Sequence, residues 1–432
     1  MQTPAPPKGT RDFYPEDMAL REFIFSSWEK TCHRYGFEKF DSPQFEPLEL
    51  YTQKSGEEIE KQLYTFVDKS GRQLALRPEM TPSLARMVAR KGSSLKMPLR
   101  WYSLPRLFRY EKMQKGRLRE FFQLNVDILG VQQVTADAEL IAVAIDLMRD
   151  MGLDNTDFTV HISSRDLLEE LLLSLSIRKE AIPSLFNLLD RKHKIPQEVF
   201  RKELEDFLHD PQVVQKVHDV LNAQSLDTIR DIHPTSPAIT ELDKLLSLLE
   251  SYGLSEYVTF DIGIVRGLAY YTGIVFELLD KKRNLRAIAG GGRYDRLVAL
   301  YGGPKTPATG FAIGDVVLAE LLKAKSLMPA QRPRSNVFFV SFEKENPAKT
   351  VAITQKLRNN GISCEFALKQ ATVGKQMKLA DAARADIVVF IGGDEEKAGN
   401  VKIRDMRTGN ESIISSAAIV DTIKGILNNL LI

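Results

Sequence analysis

Cysteine is almost absent: the 432 residues hold only Cys32 and Cys364, too far apart to form a spaced ligand set. A zinc site or a disulfide framework is therefore not expected, and buried free thiols in a reducing compartment are. No uninterrupted apolar run is long enough to cross a bilayer. The opening MQTPAPPKGT has neither the basic-then-apolar order of a secretory leader nor the Arg- and Ser-rich character of a transit peptide, so the expectation is a cytoplasmic location with no membrane partner. Neither sign of charge is in excess. Lys and Arg number 59 against 57 Asp and Glu, a net +2, so any contact with nucleic acid has to be local. The sequence also lacks G-x-x-x-x-G-K-[ST], and the glycines of IAGGGRYDRL do not fit the dinucleotide fingerprint, which excludes a P-loop or Rossmann site. Repeats and low-complexity tracts are missing too.

What is present is a 43 % hydrophobic composition, enough for two or three conventional domains. The most informative stretch is Leu107 to Gly130, LFRYEKMQKGRLREFFQLNVDILG. Leu107–Glu111 and Glu120–Leu129 read as strands and Lys112–Arg119 as a basic loop with Gly116 at its turn, which predicts an antiparallel hairpin. Gln123, Asn125 and Asp127 recur at period two opposite Leu124, Val126 and Ile128, so one face is polar and the other buries. Arg109, Arg117 and Arg119 can each grip phosphate through two parallel hydrogen bonds, whereas Lys112 and Lys115 act as point charges. A solvated hairpin is the competing reading.

A helix is predicted over Asp17–Tyr35, where Leu20, Ile24, Trp28, Cys32 and Tyr35 share a face and Gly36 supplies a stop. Extended segments around Tyr64–Val67, Leu74–Leu76, Trp101–Tyr110, Phe121–Leu129, Tyr270–Leu279 and Leu285–Ala289 predict a large, mostly antiparallel sheet covered by helices, an α+β arrangement. Leu167–Glu250 is Leu-rich and helical and looks inserted. Its His193, His209, His218 and His233 have no paired ligand spacing, so no protein-held metal site is expected. Residues 328–335, MPAQRPRS, have the composition of a linker, dividing a domain over residues 1–327 from an α/β module over 336–432. In that module Val337–Phe342, Ile387–Ile391 and Val401–Met406 read as strands, and Pro347–Asn359, Gly374–Ala385 and Ala417–Leu430 as helices.

Three further segments carry chemistry. In LRPEMTPSLAR, Glu79 and Thr81 precede a helix, where they can receive an ammonium group or simply cap. In VRGLAYYTGIVFE, Arg266 stands near Tyr270 and Tyr271, whose strand alternation predicts that one tyrosine at most faces a given pocket. The triple glycine Gly290–Gly292, expected after a strand, either lets backbone approach a ligand or forms a bulge.

Together these segments, in this order, resemble the histidyl-tRNA synthetases, a class II aminoacyl-tRNA synthetase family. KGTRDFYPED at Lys8–Asp17 is similar to the family's opening, FDSPQFEP at Phe40–Pro47 to motif 1, Leu107–Gly130 to motif 2, and VRGLAYY and AGGGRYD to its two histidine-type segments. The resemblance implies a class II antiparallel catalytic sheet with a helical insertion, a C-terminal anticodon-binding-like domain, and a homodimer joined through motif 1. It also implies the reaction: ATP with Mg2+ and L-histidine give histidyl-adenylate and pyrophosphate, and the histidyl group then passes to the 3' end of the histidine tRNA. Carried over residue by residue, Arg109 and Arg266 are the catalytic cations at the α-phosphate, and Glu111 and Arg117 join them in binding ATP. Glu79 and Thr81 receive the amino group, Gln123 the carboxylate, and Asp127 with Tyr271 the two imidazole nitrogens. Gln114 approaches the first base pair of the acceptor stem.

Three positions depart from the family pattern. Asp127 stands where glutamate is frequent, one methylene shorter. Met80 replaces a frequent glycine, with a change of loop shape expected. Val317, in the motif 3-like ATGFAIGDVVLAELL, occupies the place of a nucleotide-binding arginine, so the triphosphate is expected to rely on Arg117, Arg119, Arg293 and magnesium. The alternative is a synthetase-like paralogue without ligase activity, either a regulatory subunit of ATP phosphoribosyltransferase or a sensor of uncharged tRNA. Residues beyond Ser335 speak against the first, and Arg109 with Arg266 against the second.

Overall fold

The computed structural model describes residues 3–52, 62–192, 195–223, 225–266, 270–329, 333–342, 348–392 and 398–429. Of the expected features, His193, residues 267–269, residues 330–332 of the linker, Pro347 and Leu430 lie outside that set. Two compact units divide at Pro329 and Ala330.

The strands of the first unit are β1 (Glu38–Lys39), β2 (Phe45–Pro47), β3 (Thr65–Val67), β4 (Gln73–Leu76), β5 (Leu99–Ser103), β6 (Arg106–Phe108), β7 (Glu120–Leu129), β8 (Phe158–Ser164), β9 (Val258–Phe260), β10 (Thr272–Asp280), β11 (Ala289–Arg293) and β12 (Ala308–Gly314). Nine of them make one sheet in the order β1-β5-β7-β12-β11-β10-β8-β9, with β6 beside β7. Pairing is antiparallel except at the edges, where β1–β5 and β8–β9 run parallel. The expected hairpin forms, with Leu107 opposite Phe121, but its first strand covers only Arg106–Phe108 and does not reach Glu111. The segment expected as one extended run over Trp101–Tyr110 breaks at Leu104–Pro105 into β5 and β6, because proline has no N–H for the ladder. The expected strand over Leu285–Ala289 is displaced: β11 starts at Ala289 and runs through the three glycines.

One sheet face buries Leu124, Val126, Ile128, Phe311, Ile313 and Phe276 against helices. The helix Thr135–Arg149 lies directly behind it. Its TADAELIAVAIDLMR is apolar almost all round, which suits a helix packed on every side. Helices Arg165–Ser174 through Pro237–Ser251 add Leu185, Phe186, Leu204 and Val217 to the same core. Their starts are set locally: Asp210 accepts from Gln212 and Val213 N–H, and Ser236 from Ala238 N–H, with Pro211 and Pro237 opening the helices. β2, β4 and β3 form a separate small sheet. No helix among the described residues is long and apolar enough to cross a membrane.

The second unit carries β13 (Val337–Ser341), β14 (Cys364–Phe366), β15 (Ile387–Ile391), β16 (Asn400–Asp405) and β17 (Glu411–Ser415) in the order β14-β13-β15-β16-β17. Helices Ala348–Arg358 and Ile419–Asn429 pack on one face with Val337, Phe339 and Val389, while Val373–Ala382 covers Phe338, Val340 and Val388 on the other. The strands β14 and β17 were not anticipated. CEF is too short, and ESIIS too polar, to carry a period-two signal. Cys32 and Cys364 are both buried and free.

Candidate functional site

The sheet's second face is polar, and its register sets the site. Asp127 on β7 stands opposite Gly310 on β12, which faces Gly292 on β11, then Val275 on β10. One step along, Asn125 faces Ala312, then Gly290, then Glu277. Three of the four central positions on β11 and β12 are thus glycine, and each leaves room for a functional side chain. A Cβ on Gly310 would stand 2.0 Å from Asp127 Oδ1, one on Gly290 2.4 Å from the Arg266 guanidinium, and one on Gly292 3.1 Å from the Tyr271 ring. The glycines form the floor of a cleft, where their missing side chains make room for Asp127, Arg266 and Tyr271, and the β10–β11 register is irregular beside Gly292.

At one end of the cleft, three tyrosines join two carboxyls. Tyr294 donates to Asp127 Oδ1 at 2.6 Å, and Tyr270 donates to Glu79 Oε2 at 2.8 Å. The Tyr270 ring lies 5.2 Å from that of Tyr271 and 6.2 Å from that of Tyr294. Tyr270 and Tyr271 therefore share one cluster, contrary to the expectation of opposite faces: strand geometry begins only at Thr272, so alternation does not govern them. Burial raises all three phenols, which stay neutral donors. Burial also pushes the Asp127 carboxyl up to about 7 against the opposing effect of the Tyr294 bond. Glu79 is raised by burial as well, while the charge of Arg109 pulls it back. Only 5 % exposed, Glu79 keeps Oε1 buried without a partner among the described residues, an acceptor open to an incoming donor. It is held by its place just before the helix Thr81–Lys91, whose first turn is Thr81–Pro82. Met80 beside it is fully buried, so the substitution there fills core volume instead of merely reshaping a loop.

The cations lie next along the cleft. Arg109 donates from Nε to the Pro78 carbonyl at 2.9 Å and spreads over the Phe121 ring at 5.3 Å. Arg266 has a left-handed backbone, φ 58°, a strained geometry in a non-glycine residue. Its guanidinium pairs with Glu277; burial works against the charge, but Glu277 and Tyr271 hold the pKa above its ordinary value. Arg266 Nε is buried without a partner among the described residues, and the side chain remains about one-fifth exposed. In the motif 2 loop, Arg117 Nε meets Glu111 Oε2 at 2.7 Å, and Gln114 accepts from Arg286 Nη2 at 2.6 Å. Arg119 stacks over Tyr110 at 4.0 Å. Gln123 is half-buried on the same strand face as Asp127. Glu79, Thr81, Arg109, Gln123, Asp127, Arg266 and Tyr271 thus line one cleft, with Glu111, Gln114 and Arg117 on the hairpin above it.

One expected phosphate ligand lies elsewhere, and Val317 packs against the motif 2 loop. Arg293 sits on the back of the sheet, opposite Thr309, where its Nε donates to the buried Asp137 at 2.9 Å, so it cannot serve a triphosphate in the cleft. Val317 is only 8 % exposed and packs in the core, its Cγ2 3.2 Å from the place of a Cβ on Gly116. The helix start that holds Val317 is tied down by a residue of the opening motif to which the sequence assigned no role. Arg11 Nη2 donates to Asp315 Oδ2 at 2.7 Å, while Asp315 Oδ1 accepts from Phe122 N–H at 2.9 Å. Gly9 O accepts from Arg119 N–H at 2.9 Å, and the Phe13 ring meets that of Phe122 edge-on at 6.0 Å. The opening segment is therefore a strap along the return of the motif 2 hairpin. Tyr294 and Glu277 were likewise missed, although both lie inside the quoted segments.

The comparisons with known proteins agree with this geometry. Residues 9–315 match the family model described as histidyl-tRNA synthetase, and residues 336–426 match that of the anticodon binding domain. The chain is 41 % identical over 407 residues to a chloroplastic/mitochondrial histidine–tRNA ligase of Arabidopsis thaliana, covering 94 % of this chain and 84 % of that one. It is also 41 % identical over 411 residues to a histidine–tRNA ligase of Opitutus terrae, covering 94 % of each. Among solved structures, the histidyl-tRNA synthetase of Nostoc sp. PCC 7120 superposes with a TM-score of 0.82 at 26 % identity, over 98 % of this chain and 99 % of that one. The fold, the ordered motifs and the cleft they build all point the same way, and the chain belongs to the histidyl-tRNA synthetase family.

Proposed function

We propose that the chain is a histidine–tRNA ligase using ATP, L-histidine and the histidine tRNA. The observation that carries this is the pairing in one cleft of a buried, half-satisfied Glu79 carboxylate with two fixed arginines. An ammonium group completes Glu79 Oε1, and a phosphate completes Arg266 Nε. A carboxylate oxygen of histidine attacks the α-phosphorus of ATP, the bond to the β-phosphate breaks, and pyrophosphate leaves. The terminal ribose hydroxyl of the tRNA then attacks the adenylate carbonyl, and AMP leaves. Arg109 and Arg266 neutralise the charge that builds on the α-phosphate, an effect worth several kcal/mol, roughly 3–4 for one aimed donor. Gln123 meets the histidine carboxylate, and Thr81 with Glu79 its amine.

Asp127 and Tyr271 meet opposite imidazole nitrogens. Tyr294 orients Asp127 and makes up for its short reach by fixing the carboxylate against Gly310. Arg117, oriented by Glu111, contributes to ATP binding, and Gln114 approaches the acceptor stem. Magnesium arrives with the nucleotide as part of the substrate.

A homodimer in the cytoplasm belongs to the same reading. The small sheet exposes Phe45, half-exposed, together with Phe66 and Val67, an apolar patch suited to a second copy. The α/β unit from Ala330 onward binds the anticodon, with Lys375, Lys378 and Arg384 exposed on or just beyond its helix Val373–Ala382. The test is histidine-dependent exchange of labelled pyrophosphate into ATP, followed by tRNA charging. Absence of exchange would refute the ligase and favour an inactive paralogue.

A further inference from the structure

A second basic loop stands beside the motif 2 loop and has no part in the chemistry described so far. β10 ends at Asp280 and β11 begins at Ala289, and the connection starts KKRNLR, Lys281 to Arg286. It is a built loop. Asp280 accepts from Asn284 N–H and Leu285 N–H, each at 3.0 Å, and Lys281 N–H donates to Asp157 O at 2.9 Å. Arg283 takes a left-handed backbone, φ 54°, and sends Nη2 to His161 Nε2 at 2.9 Å, while His161 Nδ1 meets Asp261 at 3.0 Å. Arg283 is thereby spent on anchoring.

The remaining cations point outward. Lys281, Lys282 and Arg286 are exposed, and Arg286 crosses to Gln114 and lies against the turn at Gly116. Lys112 and Lys115 are exposed on the facing hairpin. Among the described residues Lys112, Lys115, Lys281 and Lys282 form no ion pair. Within Lys112–Arg119 and Lys281–Arg286 there is no Asp or Glu, and those beside them are engaged: Glu111 with Arg117, Glu120 with Arg106, Asp280 with the loop backbone and Asp157 with Lys325. Two loop tips joined by a hydrogen bond therefore present one basic ridge on a chain whose net charge is only +2. A concentration of uncompensated charge on so nearly neutral a chain fits a polyanion. The ridge also lies at the end of the sheet where Gln123 and Gly314 pair, the end from which the motif 2 loop rises.

We infer that the Lys281–Arg286 loop is a second RNA contact, gripping backbone phosphates of the tRNA acceptor arm alongside the motif 2 loop. This rests on the ligase reading above. Because phosphate contacts position an RNA without reading its sequence, the loop sets acceptor-arm affinity and leaves amino-acid choice to the cleft. The loop's geometry is held by backbone and by Arg283, so the two lysines can be changed without unfolding it.

The experiment uses the full-length protein with both lysines replaced, Lys281→Gln and Lys282→Gln. Histidine-dependent pyrophosphate exchange and the melting temperature should match wild type. kcat/KM for tRNA should fall about tenfold at low salt, and the slope of log kcat/KM against log salt should flatten by about 1–2, as for the loss of one or two phosphate contacts. A minihelix carrying only the acceptor arm should lose charging by the same factor. Unchanged tRNA kinetics and salt slope, a loss confined to full-length tRNA, or a parallel loss of exchange would each overturn the inference. Failure of the ligase reading shows differently, as absence of exchange in wild type.

Discussion

Asp127→Asn should cripple the protein and gain stability on wild type as pH rises, in a way that the cleft dictates. The carboxyl titrates at about 7 in the folded chain because burial disfavours its charge, against an ordinary value of 3.8. Between those values the unfolded chain has lost its proton and the folded chain has kept it. Stability therefore falls as pH rises through this window, and the whole cost is present above pH 7. At about 1.4 kcal/mol per pH unit, the group removes on the order of 2–3 kcal/mol between pH 5 and pH 8. Asparagine keeps an acceptor for Tyr294 and cannot titrate, although its buried amide costs about 1–3 kcal/mol wherever it lacks a partner. That cost does not depend on pH, so the difference isolates the carboxyl. Urea unfolding of both proteins at pH 5 and pH 8 should show the variant gaining about 2 kcal/mol on wild type between the two. An unchanged gap would refute the reasoning, since it would mean that Asp127 is ionised in the folded state throughout. The same variant should lose histidine activation by about 100-fold or more in pyrophosphate exchange, with the ATP requirement little altered, because a site built around a hydrogen bond discriminates strongly when that bond is wrong.

Gly310→Ala should act on the same group from the other side: its Cβ would stand 2.0 Å from Asp127 Oδ1, so the KM for histidine should rise at least tenfold, and an unchanged KM would show that the carboxylate need not sit there. Val317→Arg should not restore a missing contact, since it drives a charge into a buried site beside Gly116; a lower unfolding midpoint and weaker exchange are expected, and a gain of activity would contradict the packing. Arg117→Ala should raise the ATP requirement several-fold with the histidine requirement little changed, as measured by exchange at varied ATP. Arg11→Gln should leave Asp315 buried with a raised pKa and no cation, loosening the strap on the motif 2 return; a higher KM for ATP should accompany a drop in melting temperature, and a drop in melting temperature alone would confine Arg11 to stability.

Local chemistry fixed much of this molecule in advance. The period-two stripe Gln123–Asn125–Asp127 against Leu124–Val126–Ile128 set the two faces of β7, because a strand cannot place adjacent side chains on one side. The ordered motifs named the family, and the lack of a P-loop and of clustered cysteines removed other classes. Pairing between distant segments was not legible. Nothing near Arg293 says that it faces Asp137 behind the sheet, since which face a strand residue takes depends on the register of β11 with β10 and β12. Tyr270 and Tyr271 read as alternating because the sequence does not show that the strand starts two residues later, at Thr272. Arg11 and Asp315 are 304 positions apart, and their bond exists only because the sheet brings the start of a helix to the opening strap. The residue types at the cleft were written in the sequence, while the partner of each, and so the pKa of Asp127 and the open oxygen of Glu79, was decided by burial and register in the folded chain.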